Sequence, residues 1–547
     1  MNTPSADSQS QWQRTSASHF LKWLFSWRTL RRVLIVTACL ITLLALFYTE
    51  ENIRGKHAWE RYRHEAEARG EQLDLNAFIP KPIPDDQNFA ATPFIKSWFV
   101  RNNHGWKSDF YQQAEYHVEP PEAKRDTSIR HFLDLVAWSR AFDVVRAGKM
   151  TGSQNFASDK LDFKSRAKAA PLVLEGLKTN EAVFVELRAV SQRPFSHYPV
   201  DYNMEDPAGI LLPHLNKVKG ACRRLELKAS AELANGQSES ALEDVKLILH
   251  LTDSLNEESF LISYLVRIAC VQIAIQPIWE GLAEHAWSDA QLQQLQARLQ
   301  SYNLVADLKW PLDGERAGGI GIIDFVRQRG VGTLIEILGP GQSTPVDKDV
   351  ADFFGRIIPS GWWRLEQFNY CRLFGLQMTG TFDGANKRVS PIRIQANAQE
   401  LEHALAGRNR QTGPWHIGML LVHHQLTSAL LLPALGRIPL AAAVAQTATD
   451  QAAIACALER YRLADGQFPD TLDALVPRFI SELPHDVITG ELYQYHRTAD
   501  GQFVLYSAGG SEKDHSSGSG NEDFLGKIVK TLVEGKEGDW VWQYPSQ

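Results

Sequence analysis

Hydrophobic side chains recur at intervals of three and four residues through most of this chain, which is the spacing of one face of an α-helix. From about residue 128 to 300 this spacing continues through long stretches without glycine or proline, and alternating strand patterns are rare. Helical spacing returns at about 352–377 and 390–405. The pattern predicts a mainly α protein with a large all-α ectodomain, whose helical domain covers 128–415.

The longest uncharged apolar run is VLIVTACLITLLALFY, residues 33–48. With its flank from about Thr29, the run reaches the roughly 20 residues that span the hydrocarbon core of a bilayer. The sequence therefore predicts a transmembrane helix over 29–49. A cleaved signal peptide is the main alternative, but the charged leader is long and no small-x-small cleavage site closes the run.

The charges on either side of this run differ in sign. Five basic residues and one acidic residue stand before it, whereas Glu50 and Glu51 follow it. The positive-inside rule then predicts a cytoplasmic basic tail over 1–28 and a single pass through the inner (cytoplasmic) membrane. The bulk of the chain is expected to be periplasmic or otherwise extracytoplasmic.

A second apolar stretch, FLISYLVRIACVQIAIQPIW, covers residues 260–279. Arg267, Gln272 and Gln276 lie in its middle, where hydrocarbon surroundings would make each of them costly. The core of a helical domain accommodates such residues when each has a polar partner. We therefore expect a core helix here and not a second membrane span.

One segment of the helical region, KASAELANGQSESALEDVKLILHL, resembles a single tetratricopeptide hairpin. Ala229 and Ala241 are small residues that would let two helices pack closely, and Gly236 would form the turn between them. No 34-residue recurrence flanks the segment, so a repeat array is not indicated. The sequence predicts one helical hairpin over 222–254.

Two other kinds of segment punctuate the chain. Prolines and charges in IPKPIPDD and HVEPPEAKRD predict a stalk or linker over 50–127. The glycine-rich segment GERAGGIGIIDF, residues 314–325, matches neither the phosphate-loop motif nor a dinucleotide-binding motif that follows a strand. Turns and helix ends are the structures we expect there.

The C-terminal region, 416–547, combines a proline-interrupted helical pattern with strand signals. The helical pattern ends at Gly466, which can adopt the positive φ of a helix C′ position, and a hairpin is predicted around Asp500 and Gly501. A long amphipathic helix and a small α+β domain are therefore expected. The predicted apolar face of the helix contains Val444, Ile454, Leu458 and Tyr461, and its outward face contains Asp450, Glu459 and Arg462.

The order of these C-terminal elements carries a resemblance. A helix ending ALERYRLADGQFP, a short DTLDALVP helix, the LPHDVITGELYQY strand, a DG hairpin and an acidic loop resemble the head domain of the type II secretion major pseudopilin, its G subunit. The similarity covers roughly 440–547. The whole chain resembles uncharacterised membrane-anchored bacterial proteins that carry a pseudopilin-like tail, and secretion or envelope machinery is the partner that this resemblance implies.

The chain also departs from a pseudopilin. No peptidase site of the type G-F-T-L-x-E follows its basic leader, and the predicted membrane helix lies far upstream of the pilin-like helix. Val487 and Ile488 replace the proline-aromatic pair that is usual after the aspartate, here Asp486. We therefore expect a protein that is not itself a processed pilin.

The same resemblance implies a calcium ion in the loop before the C-terminus. That loop is rich in oxygen-bearing side chains, and calcium takes six to eight oxygen ligands. Asp514 and Asp523 are the candidate metal ligands. An ordinary solvated acidic loop without metal is the alternative.

Other candidate residues give no motif. The net charge of −7 gives no reason to expect nucleic-acid binding, and His423-His424 has no zinc-binding partner pattern. Glu280, Glu284 and His285 are typical of a solvated helix face. Five cysteines are scattered singly, which indicates buried thiols: Cys39, Cys222, Cys270, Cys371 and Cys456. One disulfide among the four cysteines outside the apolar run is the open alternative.

These features favour a membrane-anchored envelope structural or interaction protein, associated with type II secretion or pilus-like machinery, over an enzyme. An envelope hydrolase with a non-motif active site in the helical domain is one alternative. A peptide-binding helical module is the other. A concave pocket with converging Glu, His or Asp side chains would point to the hydrolase.

Overall fold

A computed structural model describes residues 27–102, 105–106, 130–148, 163–202, 206–333, 355, 357–405, 414–507 and 540–544. Over these residues the chain is mainly helical, as predicted. The helices are α1 Trp27–Ala68, α2 Pro93–Ser97, α3 Leu135–Arg146, α4 Phe163–Leu177, α5 Glu181–Val190, α6 Pro213–Ala234, α7 Ser238–Asp253, α8 Leu261–Ala283, α9 Asp289–Gln300, α10 Leu304–Asp307, α11 Lys309–Arg329, α12 Ser360–Met378, α13 Pro391–Ala404, α14 Pro414–Val422, α15 Leu426–Leu431 and α16 Ile438–Asp465. The strands are β1 Arg101–Asn102, β2 Gly105–Trp106, β3 Phe382–Asp383, β4 Arg388–Val389, β5 Gln494–Arg497, β6 Phe503–Ser507 and β7 Trp540–Trp542.

The chain divides into two compact units. The first unit contains Met1–Ala68 and Val326–Asn369, and the second contains Arg69–Phe325 and Tyr370–Gln547. The five-segment division expected from the sequence stays a prediction.

The first unit is built on α1. This helix starts at Trp27, before the apolar run, and continues without interruption to Ala68, so the first part of the predicted stalk is helical. We call the part of α1 up to Tyr48 its apolar half and the part after Tyr48 its polar half. The polar half carries exposed ion pairs at helical spacing, including Arg54 with Glu50 at 3.5 Å and Arg63 with Glu67 at 3.6 Å. The apolar half is a candidate membrane span, and no residue of an 18-residue apolar window is buried.

The second unit contains the predicted hairpin, formed by α6 and α7. Gly236 in the turn has a φ of 75°, and Ala229 and Ala241 are fully buried where the helices meet. The first helix begins at Pro213, earlier than the sequence indicated. Helix α4 packs against α6 and α3, and α8 packs against both arms of the hairpin. The hairpin is therefore the framework on which the other helices assemble.

Helix α8 is the core helix that the sequence predicted for the second apolar stretch. In the part of the second unit that the structure describes, two stretches are long and apolar enough to cross a membrane, Leu261–Ala283 and Leu426–Asp465. Within the protein, 78% and 61% of their apolar windows are buried. The polar residues in the middle of α8 have partners. Arg267 contacts Asp307 at 2.7 Å, and Gln272 accepts a hydrogen bond from Arg130 at 2.7 Å.

The prediction of turns and helix ends at 314–325 was wrong, because these residues lie inside α11. Glycine lowers intrinsic helix propensity, but here it permits close approach between elements. A Cβ at Gly314 would collide with the backbone oxygen of Ser259, and a Cβ at Gly319 would collide with the hydroxyl of Tyr370. Gly314 and Gly319 therefore permit tertiary packing and do not end the helix.

The predicted outward face of α16 was also wrong in part. Asp450 and Glu459 are 5% and 2% exposed, because α16 packs against α8 and α9 and is enclosed along most of its length. The helix end was predicted correctly: Gly466 has a φ of 83° and its N–H bonds to the carbonyl of Arg462. Two acidic side chains therefore need internal partners.

A three-stranded antiparallel sheet with the order β5-β6-β7 follows α16. The predicted hairpin around Asp500 and Gly501 joins β5 to β6, with Arg497 paired to Phe503 at its closed end. Strand β7 packs against α16. An apolar cluster fills the space between α16, α10 and the adjoining strands and contains Val305, Val389, Ala443, Val444, Val487 and Trp540.

Candidate functional site

Among the described residues of the second unit, one deeply buried ionic group lies between α4, α8 and the segment just before α3. The side chains of Arg166 and Glu280 are 1% and 0% exposed, and a guanidinium nitrogen lies 2.8 Å from a carboxylate oxygen. Arg166 also donates to the carbonyl of Leu133 at 2.6 Å, and Glu280 accepts from the Leu133 N–H at 2.7 Å. The pair thus fixes the chain just before α3 against α8.

Spacing along α8 explains how this network is built. Gln276, Glu280 and Glu284 recur every four residues and so share one helix face. Gln276 donates to Glu280 at 2.9 Å and to the carbonyl of His131 at 2.7 Å. Glu284 lies 3.5 Å from Arg166, and burial raises the pKa of its carboxyl group, an effect that Arg166 opposes. The expectation that Glu280 and Glu284 decorate a solvated face was wrong for Glu280.

A further carboxyl group, Glu226 on α6, lies beside this network. Burial raises the pKa of Glu226 to about 8, and the negative charge of Glu280 adds to the rise while Arg223 and Arg130 oppose it. Burial also lowers the pKa of Arg130 to about 10. A carboxyl group with such a pKa holds its proton near neutral pH, so Glu226 can share this region with Glu280 without a second negative charge.

A neighbouring face of α8 contacts the C-terminal strand region. Trp279 donates its indole N–H to the carbonyl of Gln543 at 3.1 Å, and its ring lies 5.8 Å from that of Tyr544. At the end of α8, His285 contacts Glu459 of α16 at 2.9 Å. The last described residues of the chain are thereby integrated into the helical core.

A second ionic group ties the α6–α7 hairpin to α5. Asp244 is fully buried and receives hydrogen bonds from Arg188 and, at 2.8 Å, from Lys228. Lys228 also donates to Glu232 at 2.6 Å. Burial and the charge of Asp244 raise the pKa of Glu232 to about 7. The two cations balance most of this acidic group.

Buried His214 forms a third polar group. Its Nε2 lies 2.7 Å from one oxygen of Glu258, and Ser263 donates to the other oxygen. The ring of Tyr198 stacks on the imidazole at 4.3 Å, and Phe99 stacks at 5.3 Å. Because the carboxylate lies between the histidine and the serine, His214 is not placed to take the hydroxyl proton of Ser263, as nucleophilic catalysis would need.

A surface pocket of about 300 Å³ lies near α10 and the start of α11, lined by Asn256, Ala306, Asp307, Lys309, Trp310 and Asp313. Its two carboxylates are already paired: Asp307 with Arg267 at 2.7 Å and Asp313 with Lys309 at 2.5 Å. The pocket therefore brings carboxylates together, as the hydrolase alternative would need, but a cation holds each of them.

The candidate calcium ligands Asp514 and Asp523 lie outside the described residues, so the calcium site stays a prediction. Within the described ranges, no group of three or more His, Cys, Asp or Glu side chains could hold a metal ion. His424 is buried and has a φ of 56°, which is consistent with a packed residue at the end of α14. The four cysteines beyond the apolar run are buried free thiols, as predicted.

The first unit has a polar site just beyond the apolar run of α1. Asn52 accepts hydrogen bonds through its side-chain oxygen from the Gly361 N–H at 2.7 Å and from the Ser360 hydroxyl at 3.0 Å, and so caps the start of α12. A Cβ on Gly361 would overlap the backbone of Glu51 and Asn52, and a Cβ on Gly55 would overlap Gly361. The glycines let α1 and α12 cross with their backbones in contact.

Sequence reasoning did not identify Arg166, Asp244 or Asn52 as important residues. The partners of each lie tens to hundreds of positions away, so no local motif marks them. For Arg166, the recurrence of Gln276, Glu280 and Glu284 on one face of a largely apolar helix was an available signal. Comparison of the chain with protein-family models, curated proteins and solved structures found no match.

Proposed function

We propose that this chain is a single-pass membrane protein of the bacterial envelope that acts as a structural or interaction component. The exposed apolar half of α1 carries this proposal. A soluble protein rarely leaves so large a continuous apolar surface in water, whereas a bilayer removes that cost. The polar half of α1 has internal partners just beyond the apolar run, which suits a helix that leaves the membrane there.

Charge supports a cytoplasmic N-terminus in the inner membrane, with the bulk of the chain periplasmic. Basic residues cluster before the apolar run, and Glu50 and Glu51 follow it. The net charge of −7, which gives no reason to expect nucleic-acid binding, is also consistent with an extracytoplasmic location.

The polar groups of the second unit favour interaction over catalysis. The buried carboxylates Glu280 and Asp244 are paired with cations, and Glu258 separates His214 from Ser263. Buried, paired groups of this kind hold helices in place, whereas catalysis needs an open position beside a reactive group. We therefore place the activity of the protein on its surface.

The pseudopilin resemblance supplies the class of partner. A long helix, a left-handed Gly466 at its end, a short helix at Leu472–Leu475 and an antiparallel hairpin are consistent with a pseudopilin-like α+β tail. We propose secretion or pilus-like machinery as the partner.

The anchor is tested by extraction and topology. The native chain should stay in the membrane pellet in alkaline carbonate, and a C-terminal alkaline phosphatase fusion should be active while a C-terminal green fluorescent protein should not fluoresce. The double variant Leu40→Arg/Leu43→Arg should be released, because charge in the bilayer centre is costly. Release of the native chain by carbonate, or a fluorescent C-terminal fusion, would contradict the proposed anchor or its orientation.

The partner is tested without truncating the tail, because removal of 440–547 would delete most of α16 from the core. A photo-crosslinking amino acid at exposed His496 on β5 samples the sheet surface in intact membranes. Cross-links to secretion or pilus-like proteins are expected. The matched control is the same amino acid at Ile392, an exposed residue of α13. Identical products at both positions would contradict a docking role for the tail.

A further inference from the structure

Residues 357–359 and the first turns of α12 run beside α1 within the first unit. The Tyr48 hydroxyl donates to the Ile357 carbonyl, and the Asn52 side chain caps Gly361. Farther along, the ring of Tyr62 lies 6.0 Å from that of Phe368 in an edge-to-face arrangement. These contacts occur in the same order along both segments, so both run in the same direction, away from the apolar run.

Tyr48 marks one end of that apolar run. Tyrosine is enriched at the level of lipid headgroups, where its ring is sheltered and its hydroxyl reaches polar groups. If α1 spans the membrane, Ile357 lies at the same level, because its carbonyl is bound by the Tyr48 hydroxyl. Along the helix, positions beyond Tyr48 rise by about 1.5 Å per residue away from the bilayer.

The side chains at this level are apolar. Ile357 is 50% exposed, Ile358 is half-buried and Pro359 is buried. Exposure of an isoleucine side chain to water is unfavourable, and its burial among the upper acyl chains lowers the free energy. Tyr48 meanwhile satisfies the carbonyl of Ile357, which removes one cost of placing this turn in a less polar environment.

We infer that the turn formed by residues 357–360 is a second lipid contact, seated in the headgroup region at the extracytoplasmic end of the span, with the Ile357 side chain among the upper acyl chains. This inference rests on the proposed membrane anchor. The molecule that covers this turn is bilayer lipid. The contact would hold the start of α12 at the membrane surface and fix the rotation of α1 about its axis.

A fluorescent depth measurement tests the inference with the full chain. In a Cys39→Ala background, the environment-sensitive dye NBD is attached to Ile357→Cys, to Ile41→Cys within the apolar run, or to His64→Cys. The His64 side chain is 72% exposed, and it lies roughly 24 Å beyond Tyr48 along the helix axis. The remaining four thiols are buried, and the unlabelled background protein measures any reaction at them.

Each protein is reconstituted in phosphatidylcholine–phosphatidylglycerol vesicles with and without nitroxide-labelled lipid. We expect blue-shifted emission and strong quenching by nitroxide lipid at 41 and 357, several-fold above the quenching at 64. Quenching at 41 with 357 equal to 64 would overturn the lipid contact and leave the anchor intact. Blue-shifted but unquenched emission at 357 would indicate a protein cover and also overturn it. Absence of quenching at 41 would overturn the proposed anchor itself.

Discussion

The apolar half of α1 and helix α8 are both long enough and apolar enough to cross a membrane, yet their surroundings differ. None of the apolar window of α1 is buried, whereas 78% of the window of α8 is enclosed by protein. The apolar half of α1 has no charged residue between Arg32 and Glu50. Helix α8 carries Arg267 and Glu280, and each has an ionic partner. Interior charge with matching partners therefore distinguishes a protein core from a candidate span.

The largest effect is expected when the carboxylate of Glu280 on α8, the ionic partner of Arg166, is removed. Glu280→Ala removes the carboxylate that lies 2.8 Å from Arg166 and leaves the buried guanidinium only the weaker contact with Glu284 at 3.5 Å. We expect a loss of about 3–5 kcal/mol in the free energy of unfolding. Denaturant unfolding of the detergent-solubilised protein measures the loss. The control Glu243→Ala removes an exposed pair with Lys246 and should leave stability unchanged.

A double variant separates the effect of the unpaired charge from the effect of lost packing. Arg166→Met/Glu280→Leu removes both charges and fills part of their volume, so its loss should be smaller than that of Glu280→Ala alone. Equal losses would contradict an uncompensated charge as the cause and would point to lost packing.

The polar half of α1 can be tested at its crossing with α12. Gly361→Ala places a methyl group against the backbone of α1, and we expect a loss of about 1–3 kcal/mol. Gly375→Ala in the same helix has open space around its Cβ and should be neutral or slightly stabilising. Thermal melting followed by tryptophan fluorescence compares the two variants, and equal melting temperatures would argue against the close crossing.

The smallest expected effect concerns Glu226 beside α8. Its folded-state pKa of about 8 lies above its ordinary value of 4.5, so folding takes up a proton between these pH values. Its contribution to stability therefore declines as the pH rises through this window. Glu226→Gln stays neutral, so its melting temperature relative to the native chain should increase by a few degrees from pH 5 to pH 8.5. A difference that is constant with pH would contradict the raised pKa.

Local sequence rules predicted several features of the fold correctly. Gly236 and Gly466 have the positive φ values expected at a turn and a helix end. The Asp500-Gly501 hairpin forms as well. Each depends on interactions among residues only a few positions apart, which the sequence displays directly.

The same rules failed where distant contacts decide the outcome. The glycines of α11 predicted turns, but they lie inside a helix, where Gly314 and Gly319 permit close approach of Ser259 and Tyr370. Asp450 was placed on an outward face, yet it is buried and bonded to Gln446 and Tyr493. Helical periodicity gives the direction of a side chain relative to its own helix only. It does not show that other elements cover the polar face as well.

The sequence alone determined the mainly helical class, the local caps and turns, and one uncharged apolar run with basic residues before it. Tertiary structure alone decided which apolar helix stays exposed and which charges are buried. The physical reason is that a buried charge is tolerated only beside a partner, and the partner of Glu280 is Arg166, more than a hundred positions away. The same holds for Asn52 and Gly361, whose contact joins the two segments of the first unit.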